Sequence, residues 1–216
     1  TTPAEFTRPI LEAYQRYLWR YRKADDRPLG IRTQRDRLSI LKHFFAWLCR
    51  QNLILANPAA DLEPPRPEKR LPVEPLSIEQ INTLLNVPDT TDPLGIRDRA
   101  ILEVFYGCGL RRTELTRLAL ADYNPDRATL YVRLGKGRKD RVVPVGKRAA
   151  EWIERYLDRV RPLLLLGTGQ DTLFLTSYGE AFNPQVIGRK VTAWIKAADI
   201  GRSGSCHLLR HSCATH

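Results

Sequence analysis

Methionine is absent from all 216 residues, so Thr1 is not a translation start and the chain is expected to have lost at least its first residue. Long hydrophobic runs are absent too: nothing approaches the roughly 18 apolar residues that a membrane-crossing helix needs. The first twenty residues carry Glu5, Arg8, Glu12, Arg16 and Arg20 without a continuous apolar core, which argues against a signal peptide. Cysteine is sparse. Cys49, Cys108, Cys206 and Cys213 show no CxxC spacing, which removes the ribbon-type zinc site and the dithiol redox pair and leaves free thiols in a reducing cytoplasm. Cys206, His207, His211 and Cys213 do fall within eight residues. The two histidines share a helix face, but the two cysteines do not converge on it, so no metal is expected. No carboxylate cluster suggests a two-metal nuclease. A P-loop, a dinucleotide fingerprint and a GxSxG elbow are all missing, so no cofactor is expected either.

Positive charge is plentiful. Lys and Arg number 35 against 24 Asp and Glu, a formal charge of +11. Residues 1–70 carry 14 basic and 8 acidic side chains, and residues 71–216 carry 21 and 16, so both parts are basic. A polyanion partner follows, with nucleic acid ahead of an acidic membrane. A composition of 43% hydrophobic and 27% charged residues is that of a folded globular protein rather than a disordered or fibrous one.

Residues 1–62 read as a small helical domain. Ile10, Leu11, Tyr14, Tyr17, Leu18 and Tyr21 recur at helical spacing, and the stripe is expected in the core. Pro28 and Gly30 break the chain, and Thr33 is placed to cap a second helix with Leu38, Leu41, Phe44, Phe45 and Leu48 inward. Residues 63–75 form a linker in a proline-dense stretch that excludes helix. Residues 76–216 form a second domain of mixed type. Ser77 and Gln80 make a capping box before a helix at 78–85. An apolar helix runs over 97–106 and stops at Gly107-Cys108-Gly109, and another starts at Arg112. Strands at 129–134 and 141–145 form a hairpin, with a third short strand at 172–176. Helices follow at 149–160, at 184–198 and from His207 onward. The fold class is mainly α with a small antiparallel β-sheet, that is α+β.

Three segments carry candidate chemistry. Arg111 and Arg112 follow the glycine-rich helix break, with Glu114 close behind. The hairpin tip holds Lys136, Arg138, Lys139 and Arg141 around the single acid Asp140. His207 and Arg210, at i and i+3, share a helix face. Guanidinium pairs bind phosphate oxygens and stabilise the extra charge of a pentacoordinate transition state. A lysine crowded by other cations can protonate a leaving alkoxide, and a histidine can bind phosphate or move a proton.

Residues 33–58, 97–118 (RDRAILEVFYGCGLRRTELTRL), 135–144 (GKGRKDRVVP) and 207–216 (HLLRHSCATH) together resemble the tyrosine recombinase, or phage integrase, family, with Xer-like and integron-integrase-like members the most similar. The resemblance implies a helical core-binding domain and a catalytic domain that cut and rejoin DNA through a 3′-phosphotyrosyl intermediate. By that resemblance Arg111 and Arg210 clamp the phosphate, Lys136 is the general acid and His207 assists. Lys139 competes with Lys136, and the alternative for Arg111 or Arg112 is an ordinary surface arginine. Glu114 supports an arginine, and His211 either has a catalytic, supporting role or is a buried, hydrogen-bonded histidine. Arg35, Lys42, Arg66, Arg138, Lys139 and Arg141 are the expected DNA contacts. The implied partner is a double-stranded recombination site. It would be bound by four copies or by a mixed tetramer, in the cytoplasm on the nucleoid and without a membrane.

The family's nucleophilic tyrosine lies beyond its His-x-x-Arg box, whereas the last of the eight tyrosines here is Tyr178. The 216 residues are therefore expected to be a truncation that binds DNA without cutting it. The alternative is a non-catalytic DNA-binding protein that occupies or regulates recombination sites.

Overall fold

A computed structural model describes residues 2–66, 74–133, 139–165 and 169–216. The chain divides into two compact units, residues 1–72 and 73–216.

The first unit is built on α1 (Arg8–Arg20) and α2 (Ile31–Arg50). Pro9 sits in the first turn of α1, where its missing N–H costs nothing. Helix α2 begins earlier than the sequence suggests: Gly30, not Thr33, is its N-cap. The cause is Gln34, whose backbone N–H donates to the Gly30 carbonyl (3.0 Å) while its buried side-chain amide donates to the Leu29 carbonyl (2.7 Å). Together they fix the chain's entry and leave Thr33 exposed in the first turn. The core holds Leu11, Leu18, Leu38, Phe45 and Leu48, closed by Leu29, Ala59 and Leu62. The apolar stripes are only partly core. Tyr17 is 55% exposed, and Ile10, Tyr21 and Phe44 are exposed as well. Two helices offer too few partners to bury aromatics on every flank.

In the second unit α3 (Ile78–Leu85) starts at the capping box expected of it. The Gln80 N–H donates to Ser77 Oγ (3.2 Å), and the Ser77 N–H donates to Gln80 Oε1 (3.0 Å). Helix α4 (Pro93–Cys108) is the spine. Ala100, Ile101, Leu102, Val104 and Phe105 are fully buried among α6 (Lys147–Arg159) and α9 (Cys206–Thr215). The sheet is antiparallel in the order β1 (Tyr123–Asn124), β2 (Thr129–Val132), β3 (Arg141–Pro144). In its register Leu130 faces Val143 and Val132 faces Arg141.

The third strand is thus Tyr123–Asn124, not the expected segment 172–176. That segment pairs once with each neighbour, through Ala119↔Thr172 and Leu175↔Ala181. Its Leu173, Phe174 and Leu175 are buried, and the Leu175 N–H donates to the Tyr156 hydroxyl instead of to a ladder. After α7 (Arg161–Leu164) and α8 (Pro184–Ala197), α9 is pinned by Ser212. The buried Ser212 Oγ accepts from the Leu76 N–H (2.9 Å) and donates to the Leu208 carbonyl (3.0 Å).

Buried ion pairs tie α4 to its neighbours. Asp98 accepts from Arg97 and pairs with Lys190 of α8 (3.0 Å), and Glu103 takes Arg99 (2.9 Å) and Arg148 of α6 (2.9 Å). No described helix is long and apolar enough to cross a membrane.

Candidate functional site

The site grows from the end of α4. Gly109 closes that helix in the left-handed region, at φ 56° and ψ 35°. A side chain there would be strained, and its Cβ would lie 3.1 Å from Cys213 Sγ on α9. Glycine therefore lets α9 approach the turn closely. Leu110 then plugs the core at 0% exposure, which forces the next residue outward. Arg111 is the N-cap of the short helix α5 (Arg112–Leu115).

Glu114 is the hub. Its Oε2 accepts from the Arg111 backbone N–H (2.8 Å) and its Oε1 from the Arg111 guanidinium (2.8 Å). Arg141, the first residue of β3, adds a two-pronged fork, Nη1 to Oε1 at 3.0 Å and Nη2 to Oε2 at 2.8 Å. Arg210 of α9 donates from Nη1 to the Gly109 carbonyl and lies 3.9 Å from Glu114 Oε2. Three guanidinium groups thus surround one carboxylate whose side chain is 5% exposed, while each arginine keeps about a third of its surface open.

The electrostatics follow from that count. Burial pushes the Glu114 carboxyl up, but the bonds from Arg141, the Arg111 N–H and the Arg111 guanidinium outweigh it and hold it at about 2. Arg141 is shifted upward, first by its bond to Glu114. Arg210 is shifted downward, first by burial and then by repulsion from Arg111, with the attraction of Glu114 not cancelling them. A cluster of three cations and one anion is short of negative charge, and a phosphate would supply it.

Beside the cluster lies an open pocket of about 350 Å³ lined by Gly109, His207, Arg210, His211, Cys213 and Ala214. The structure therefore brings together Arg111, Glu114 and Arg210, and sets exposed His207 and His211 around Arg210. It adds Arg141, expected from the sequence as a DNA contact. Lys136 and Arg138 lie outside the described residues. Lys139 is exposed next to them, and Arg112 is exposed away from Glu114. In the first unit Arg35 and Arg66 are exposed, whereas Lys42 donates to the carbonyls of Ala60 (2.9 Å) and Leu62 (2.8 Å).

Two partners were not visible in the sequence. One is the Gly109 carbonyl under Arg210. The other is the bond between Tyr106 Oη and His216 Nδ1 (2.9 Å), which fastens the last turn of α9 to α4. Cys206 is buried in the core while His207 and His211 face outward, so the four-residue Cys/His cluster does not converge. Among the described residues no three His, Cys, Asp or Glu side chains group as metal ligands. Burial pushes the Cys108 thiol up to about 12 and raises Cys206 and Cys213 as well.

Residues 74–216 match the model of the phage integrase family. The chain is 45% identical over 214 residues to tyrosine recombinase XerC 2 of Ralstonia nicotianae, covering 99% of this chain and 61% of that one. It is 39% identical over 188 residues to tyrosine recombinase XerC of Escherichia coli O157:H7, covering 87% and 61%. Among solved structures, the XerH site-specific recombinase bound to palindromic difH substrate superposes with a TM-score of 0.74 at 20% identity, over 98% of this chain and 59% of that one. The chain thus spans about three fifths of the length of these relatives. With more than half of its residues matched by the family model and its arginine cluster built from the segments that carry the resemblance, the chain belongs to the phage integrase family of tyrosine recombinases, in its Xer-like branch.

Proposed function

We propose that this chain is the DNA-binding and phosphate-activating part of a site-specific recombinase. The observation that carries the reading is the cluster of Arg111, Arg141 and Arg210 around one buried carboxylate, beside His207. The substrate is a double-stranded recombination site. Arg111 and Arg210 bind the non-bridging oxygens of the scissile phosphate and stabilise the charge that builds up as a fifth oxygen approaches. Glu114 holds Arg111 in place, and the Gly109 carbonyl holds Arg210. His207 donates a hydrogen bond to the same oxygens or moves a proton, and Lys136 of the hairpin protonates the departing 5′-oxygen.

Attack by a tyrosine hydroxyl forms a Tyr–O–P bond as the P–O5′ bond breaks. The result is a 3′-phosphotyrosyl link and a free 5′-hydroxyl, and the reverse attack by a partner strand's 5′-hydroxyl rejoins the backbone. Four copies on two sites, or a mixed tetramer, form the working assembly. No tyrosine follows Tyr178 in these 216 residues, so they bind and polarise the phosphate but do not themselves form the covalent link.

The test is a binding and trapping experiment on duplexes carrying a recombination site of a Xer-type relative. Binding that weakens steeply with salt, without a covalent protein–DNA adduct, is expected. Salt-independent binding overturns the DNA reading. An adduct formed by residues 1–216 alone overturns the assignment of the nucleophile elsewhere. The regulator reading keeps the binding but predicts that Arg111→Ala and Arg210→Ala affect affinity only, with no loss of cleavage in a chain that carries the tyrosine.

A further inference from the structure

We propose that Arg141 is a positioning residue: by filling the acceptor sites of Glu114 it keeps the Arg210 guanidinium off that carboxylate and free for a phosphate oxygen. The inference rests on the reading of the cluster as a phosphate site.

A carboxylate offers about four acceptor sites. Here all are taken, Oε1 by the guanidinium groups of Arg111 (2.8 Å) and Arg141 (3.0 Å), Oε2 by the Arg111 N–H (2.8 Å) and Arg141 Nη2 (2.8 Å). Arg210 comes fifth. Its Nη1 stands 3.9 Å from Oε2, beyond hydrogen-bond reach, and is held instead by the Gly109 carbonyl. Among the described residues its positive charge is therefore left without a bonded counter-ion, beside two other guanidinium groups.

Arg141 cannot be an ordinary hairpin cation. It sits opposite the buried Val132, on the inward face of β3 with Val143, and both of its Nη groups are committed to Glu114. Removing it opens one site on each carboxylate oxygen. The open site on Oε2 lies nearest Arg210, which needs to move only about 1 Å to reach bonding distance. Arg210 would then be paired internally, and its donors would be lost to a ligand.

The test follows the arginine Nε–Hε signals by NMR in the 216-residue protein and in R141Q, R141K, E114Q and E114Q/R141Q, with the Arg210 signal identified by its loss in R210K. Without ligand, R141Q is expected to shift the Arg210 signal and slow rotation of its guanidinium, and E114Q/R141Q to abolish both effects. R141K, which keeps the charge but not the two-pronged fork, falls between and serves if R141Q fails to fold. On titration with inorganic phosphate, R141Q is expected to bind about tenfold more weakly, the cost of one charge-assisted bond. The double variant regains the affinity of E114Q. An unchanged Arg210 signal in R141Q and R141K overturns the inference. So does equal weakening in R141Q and E114Q/R141Q, because Arg141 would then touch the anion itself. A wild-type protein that binds no phosphate overturns the phosphate reading, while the ligand-free Arg210 signal still decides the role of Arg141.

Discussion

Helix α2 of the first unit and the region around α4, α5 and β3 of the second carry their positive charge in opposite ways. On α2 of the first unit, Arg32, Arg35 and Arg37 are exposed and have no ion pair among the described residues. In the second unit Arg97, Arg99, Arg111, Arg141 and Arg148 are all fastened to carboxylates that are largely buried. Loose arginines supply long-range attraction to a polyanion and lose little when they rearrange. Fastened arginines hold a fixed geometry, which a developing transition-state charge requires. Charge alone, nearly equal in the two parts of the chain, would not have separated these roles.

The comparison can be broken most sharply at Glu114. Glu114→Ala leaves three guanidinium groups facing each other, and a loss of about 3 kcal/mol in the stability of the second unit is expected from urea unfolding. The pH dependence has a definite sign. The folded carboxyl sits at about 2, below its ordinary 4.5, so its stabilisation is complete above pH 4.5 and is lost as the pH falls toward 2. The stability gap between wild type and Glu114→Gln should therefore close over that window. A gap that stays constant from pH 5 to about 2 would show that the arginines do not act through the charge of Glu114.

Next in size is Gly109→Ala. It combines left-handed strain with a Cβ 3.1 Å from Cys213 Sγ, and about 1–2 kcal/mol is expected in thermal melts. Cys213→Ala in the same chain should return the contact part of that loss and leave the strain.

Lys42→Met sharpens the comparison from the other side. Its ammonium holds the Ala60 and Leu62 carbonyls, so it should cost the first unit about 1 kcal/mol while barely changing DNA affinity. Arg35→Ala should do the reverse. Stability stays the same, DNA affinity falls about threefold, and the magnitude of the log-affinity against log-salt slope drops by about one. If Lys42→Met lowers affinity more than Arg35→Ala does, the distinction between fastened and loose cations fails in the first unit.

Much of this was legible in the residues. The capping box at Ser77 and Gln80, the apolar run of α4 and the glycine break at 109 each impose a local geometry that tertiary contacts only reinforce. The boundary at Gly30 was missed because the deciding contact is made by a side chain, Gln34, back to Leu29. Strand β1 has two residues, too few for any alternation to register. Arg141 is the instructive case. Grouped with the tip lysines by composition, it belongs with Val143 and Val145 by period-two alternation, and that alternation was the available signal for an inward side chain. The convergence of Arg141 on Glu114, 27 residues away, depends on how β3 lies against α5, which no local pattern encodes.

The bond from the Leu76 N–H to Ser212 Oγ spans 136 residues and joins the first described stretch of the second unit to α9. Arg210 rides on that helix. On a ribosome, the hold of the Gly109 carbonyl on Arg210 therefore stays unfinished until α9 has emerged, and closing so long a loop is a slow step. A nascent chain exposes the loosely held arginines of its first unit well before the arginine cluster around Glu114 is complete. Loose positive charge thus precedes, in time as well as in sequence, the ordered cluster around Glu114.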